Sequence, residues 1–104
     1  MIKIKSGPSG ARMLGLHPEI LLVVPVAHEI LRQWEADLVI TTGTDGTHMA
    51  NSLHYAGYAL DFRTRHLTSE QKEAFRRQLA AALGKHYDVV LHKSHLHVEF
   101  DHKG

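Results

Sequence analysis

The sequence predicts an α+β domain with a mainly antiparallel central sheet and two to three helices. Three observations carry that expectation. His95, His97 and Glu99 alternate with Leu96, Val98 and Phe100, and Leu60 and Phe62 alternate with Ala59, Asp61 and Arg63, the period of half-buried strands. Two longer segments, residues 18–35 and 69–83, instead space their apolar residues as a helix does. Finally, the chain order of helix, strand, strand, helix, strand, strand is that of helices packed on a sheet built largely from neighbouring hairpins.

Residues 1–5 form a short edge strand in this reading, because Ile2 and Ile4 alternate with lysines, which guard exposed edges. Two glycines and Pro8 make residues 6–10 a loop. Pro18 and Glu19 suit a first helical turn, and Ile20, Leu21, Val24, Ala27, His28, Leu31 and Trp34 follow at helical spacing. Pro25 interrupts that segment, so one kinked helix or two short helices meeting at Pro25 are expected. Residues 37–42 (DLVITT) read as a buried strand, residues 43–53 as a loop, and residues 58–64 as the strand bearing Asp61. Thr68 or Ser69 caps the next helix, whose stripe is Phe75, Leu79, Ala82 and Leu83 and whose stop is Gly84. Residues 87–91 (YDVVL) and 95–100 form a hairpin about Lys93 and Ser94.

At 104 residues the chain is expected to be one domain, 1–104, with no room for a separate binding module. A net charge of +1 gives no general affinity for nucleic acid. The absence of cysteine excludes disulfides and thiolate ligands. The lysines of the N-terminal stretch have no apolar run behind them, and the apolar run from Ile20 to Val26 is too short for a membrane span. The expectation is therefore a protein made in the cytoplasm, without signal peptide or membrane span. The compositional anomaly is ten histidines.

Some of those histidines fall where a metal site needs them. Catalytic zinc takes three ligands from His, Asp/Glu and Cys and leaves a fourth position open. The strand at 95–100 offers His95, His97 and Glu99 on one face; the strand at 58–64 offers Asp61; His54 lies just before it, and Gly57 allows the backbone to turn between them.

Ser52, His54, Gly57, Ala59 and Asp61 fill a pattern S-x-H-x-x-G-x-A-x-D, followed some forty residues later by H-x-H at His95 and His97. This resembles the zinc peptidases of family M15, the D-Ala-D-Ala carboxypeptidase and L-alanyl-D-glutamate peptidase group, in its short phage-type form, over residues 38–101. The resemblance implies a hedgehog/DD-peptidase-like fold and one zinc ion per chain held by His54, Asp61 and His97. It implies as substrate a peptidoglycan stem peptide cleaved at D-Ala-D-Ala or L-Ala-D-Glu, and as setting phage lysis or wall remodelling, with delivery to the wall by another factor. By the same resemblance His95 lies beside the metal rather than on it, where an imidazole can take a proton from the attacking water.

One position departs from the pattern. Many members carry a general-base Glu three residues before the last ligand, and here that residue is Ser94. Either His95 or His92 takes over, or Glu99 reaches in, or activity is weak or lost. The alternative reading is accordingly a zinc-binding interaction module of the same fold without turnover. Glu99 is expected to orient a ligating imidazole or to sit in a structural ion pair, and Ser52 to orient His54, while His48 either lines the cleft or faces solvent. Arg63 shares the strand face of Asp61, and with Arg12 and Arg65 is a candidate for binding a substrate carboxylate. The remaining histidines, among them His17, His28, His66 and His86, are expected on the surface or satisfied within helices.

Overall fold

A computed structural model describes residues 1–6, 10–44 and 57–101. In chain order the elements are β1 (Ile2–Ile4), α1 (Pro18–Leu21), α2 (Val23–Arg32), β2 (Leu38–Thr42), β3 (Ala59–Arg63), α3 (Ser69–Leu83), β4 (Tyr87–Leu91) and β5 (His95–Phe100). The class is α+β: a five-stranded sheet in the order β1-β2-β3-β5-β4 with helices against one face.

The sheet is mixed, which corrects the expectation of a mainly antiparallel one. β2–β3, β3–β5 and β4–β5 pair antiparallel, but β1 lies parallel to β2, with Ile2 opposite Leu38 and Ile4 opposite Ile40. The chain between β1 and β2 contains α1 and α2, and a helical crossover returns it to the same end of the sheet, where only a parallel pairing is available. β1 nonetheless takes the edge, and Lys3 Nζ reaches Asp37 Oδ2 at 3.0 Å to tie it down.

The helical segment breaks at Leu22, not at Pro25. Pro25 is the third residue of α2, within the first turn, where backbone N–H groups have no intrahelical acceptor and a proline costs little. Regular helix ends at Arg32 rather than Glu35, which has a positive φ of 53°. α3 starts as its sequence asks: Thr68 and Gln71 form a reciprocal capping box, and Gly84 follows at φ 88°. Phe75 and Leu79 are buried, whereas Ala82, expected on the stripe, is exposed.

The core joins Ile20, Val23, Ala27 and Leu31 of the first helical segment to Phe75 and Leu79 of α3. Leu38, Ile40, Leu60, Phe62, Leu96 and Val98 complete it from the sheet. Because side chains alternate across a strand, burying Leu60, Phe62, Leu96 and Val98 commits Asp61, Arg63, His95, His97 and Glu99 to the opposite face. Each large core side chain contributes roughly 1.5–3 kcal/mol of burial, so a one-residue slip of β5 would exchange that core for histidines and a glutamate.

Candidate metal centre

The register of β3 against β5 assembles the site. Asp61 stands opposite His97, Arg63 opposite His95, and Ala59 opposite Glu99. His97 Nδ1 lies 2.8 Å from Asp61 Oδ1, and His97 Nε2 lies 2.8 Å from Glu99 Oε1. The imidazole is thus held between two carboxylates, one at each ring nitrogen. These contacts, Asp61 first, raise the His97 pKa above its ordinary value against the opposing effect of burial.

His95 extends the row. Its Nε2 is 3.9 Å from Asp61 Oδ1, and its side chain, 35% exposed, is more open than those of His97 at 18% and Asp61 at 14%. His92, at the hairpin turn, stacks on His95 with ring centroids 4.7 Å apart and approaches His97 edge-on at 6.4 Å. His92 N–H donates to the His95 carbonyl at 2.9 Å, which fixes the turn beneath the stacked rings. Three histidines and two carboxylates therefore form a connected row along this face.

Gly57 and Ala59 have structural work at the entry to β3. Gly57 sits at φ +84°, and a Cβ there would lie 2.2 Å from the Gly15 carbonyl oxygen. Its own carbonyl accepts from His17 N–H at 3.0 Å. The half-buried His17 ring, at the start of α1, stacks on Tyr58 with centroids 4.1 Å apart. Ala59 is fully buried. The motif's Gly and Ala thus set where the chain meets the sheet, and with it the position of Asp61 two residues on. Elsewhere, His66 is exposed and its Nε2 contacts the Asp37 carbonyl at 2.9 Å. His28 Nε2 is buried with no hydrogen-bond partner among the described residues, against the expectation of a satisfied group.

The donor chemistry of Asp61 and His97 fits a divalent cation. A carboxylate oxygen and an imidazole nitrogen converge on one point, and Glu99 can hold the Nε2 proton so that Nδ1 presents its lone pair. Glu99 and Asp61 lie at opposite nitrogens of the ring, so Glu99 does not converge with Asp61 on a shared ion. Among the described residues no group of three such side chains could hold a metal. The third ligand expected from the resemblance, His54, lies outside the described residues, as do Ser52 and His48. Sequence reasoning missed Lys5, Thr41 and Thr42, which with Ser94, Arg65 and Arg63 line a cleft beside Asp61 and His95. The Ile/Lys alternation of β1 shows which face Lys5 takes, but nothing local shows which strand lies beside it.

No family model matches the chain, and no curated protein matches it.

Proposed function

We propose that this chain is a zinc-dependent peptidase acting on peptidoglycan stem peptides, with His54, Asp61 and His97 as the zinc ligands. The observation that carries the reading is the pairing of Asp61 with His97 at 2.8 Å, with His95 and His92 stacked beside them on the open face of the sheet. The S-x-H-x-x-G-x-A-x-D and H-x-H pattern adds the family resemblance and, through it, a hedgehog/DD-peptidase-like fold. No helix among the described residues is long and apolar enough to cross a membrane. Access to the wall would then depend on release or on another factor.

Zinc, when bound, supplies Lewis-acid polarisation of the scissile carbonyl and acidifies the attacking water. The rest falls to the chain's own groups. Glu99 keeps the His97 ring oriented and its Nε2 proton engaged. His95, close to Asp61 yet open to the face, receives a proton at Nε2 from the attacking water and returns it to the leaving amine. His92 packs against the His95 ring and restricts its orientation.

The second reading, a zinc-binding interaction module without turnover, draws on Ser94. This residue sits exposed at the hairpin turn in place of a general-base carboxylate, while Glu99 is engaged by His97. One experiment separates the two. Protein purified without a His tag or added metal is assayed for zinc by elemental analysis, and purified peptidoglycan is assayed for new amino termini. About one zinc per chain, with hydrolysis abolished by chelation, is expected of the peptidase. Zinc without hydrolysis on any wall substrate points to the module, and failure to take up zinc even when it is offered sinks both.

A further inference from the structure

We infer that the cleft beside the metal centre is an anion subsite, in which Arg63, Arg65 and Lys5 receive a carboxylate of the substrate. The inference rests on the peptidase reading and deepens it, since it states which chemical group the substrate must present next to the scissile bond.

The cleft has a volume of about 340 Å³ and draws on four adjacent strands or their ends: Lys5 after β1, Thr41 and Thr42 of β2, Arg63 of β3 with Arg65 just beyond it, and Ser94 before β5. Asp61 and His95 line it as well. An irregularity in the β2–β3 pairing brings two consecutive threonines to this cleft, because Ile40 faces Phe62 while Thr42 faces Asp61, leaving Thr41 as an extra residue.

Three cations thus line this cleft, and among the described residues Asp61 is the one acidic side chain lining it. The side chains of Lys5, Arg63 and Arg65 have no hydrogen-bonded or ion-paired partner among the described residues. Lys3, Arg32 and Arg76, by contrast, are each paired with a neighbouring carboxylate. Guanidinium groups bind carboxylates through paired N–H donors, and a concave site lined by one sign of charge concentrates ligands of the other. Thr41, Thr42 and Ser94 add hydroxyl donors, so an anion seated here would be surrounded by donors. Arg63 is opposite His95 in the strand register, which puts the anion one residue step from the group assigned to proton transfer.

A stem peptide offers two such carboxylates: the free carboxylate of the terminal D-Ala, and the α-carboxylate of the γ-linked D-Glu. The test uses the zinc-loaded full chain and the synthetic pentapeptide L-Ala-γ-D-Glu-L-Lys-D-Ala-D-Ala. Two further probes are that peptide amidated at its C-terminus and that peptide amidated at the D-Glu α-carboxyl. Binding is read by calorimetry and hydrolysis by mass spectrometry, each with the parent chain, Arg63→Gln and Arg65→Gln. One of the two amidations should weaken binding at least about tenfold, and the amidation that does so names the carboxylate. Arg63→Gln should weaken the acid peptide by a similar factor and leave that amide unchanged, raising KM more than it lowers kcat.

Equal weakening of acid and amide by Arg63→Gln, equal binding of all three peptides by the parent, or no peptide binding at millimolar concentration would each overturn the inference. Should circular dichroism show that Arg63→Gln does not fold, the exposed Arg65→Gln decides by the same comparison. Coupling between arginine and carboxylate without any hydrolysis keeps the subsite and removes the peptidase. Hydrolysis without coupling does the reverse.

Discussion

His97 shows how single side chains on this face depend on their neighbours. Its two ring nitrogens meet Asp61 and Glu99, each at 2.8 Å, and those carboxylates have different tasks in the proposed site. Replacing Asp61 removes a ligand, so Asp61→Ala is expected to abolish both zinc retention and hydrolysis. Replacing Glu99 leaves all three ligands but loses the anion that orients the ring. Glu99→Gln is therefore expected to weaken zinc by about 10- to 100-fold, as measured by competition with a chromophoric chelator, while circular dichroism stays unchanged. A Glu99→Gln protein that holds zinc as tightly as the parent would show that the carboxylate has no part in the metal site. At this scale much of the arrangement was legible in the sequence, because period-2 alternation alone puts Asp61, Arg63, His95, His97 and Glu99 on a common face once the apolar set is buried. The contact between His92 and His95 was not legible. The hairpin turn that brings His92 N–H to the His95 carbonyl was expected about Lys93 and Ser94, but the stacking of the two rings across it depends on side-chain rotamers that spacing does not specify.

At the level of the elements, the entry to β3 and the start of α3 are the places where one atom decides local geometry. Gly57→Ala combines a left-handed backbone with a Cβ 2.2 Å from the Gly15 carbonyl oxygen, so something must shift. A cost of about 2 kcal/mol or more is expected, read as a lower urea midpoint, together with reduced zinc retention because Asp61 follows on the displaced strand. Thr68→Ala removes only the helix cap, and should cost about 1 kcal/mol with zinc retention unchanged. The contrast between the two separates damage to the fold from damage to the site. The edge strand adds a pH dependence. Lys3, through its hydrogen bond, and then the N-terminal ammonium lower the Asp37 pKa below its ordinary 3.8. A depressed carboxyl pKa contributes stability that is present above the unfolded-state value and lost as pH falls through the folded one. The protection of the Lys5 amide, which donates to the Ile40 carbonyl, relative to its intrinsic exchange rate should therefore fall in acid, and Asp37→Asn should remove that dependence. The helices and strands were largely readable from their periods and caps. The parallel pairing of β1 was not, because a three-residue strand of alternating Ile and Lys specifies a face and an edge but no direction relative to its neighbour.

For the molecule as a whole, the division of labour between the two faces of the sheet has a thermodynamic consequence. The helix-covered face carries the apolar core, and the other face carries histidines, carboxylates and basic side chains whose burial contributes little. In the proposed site a metal joins His54, ahead of β3, to β3 itself through Asp61 and to β5 through His97, so its binding energy adds to the folding energy of the sheet. A ligand that binds only the folded state stabilises it by about 2.7 kcal/mol when free ligand is at 100 times its dissociation constant. For a domain of this length each kcal/mol moves the melting temperature by roughly 4–8 °C. Chelation of the zinc-loaded protein is accordingly expected to lower its melting temperature by about 10 °C or more, reversibly on adding zinc back. The Asp61→Ala protein should melt at one temperature with or without chelator, since it has no bound ion to lose. If the parent also melts unchanged after chelation, while elemental analysis shows that zinc had been present and was removed, then the ion does not bridge the strands. The open face would in that case be held by Asp61, His97 and Glu99 among themselves.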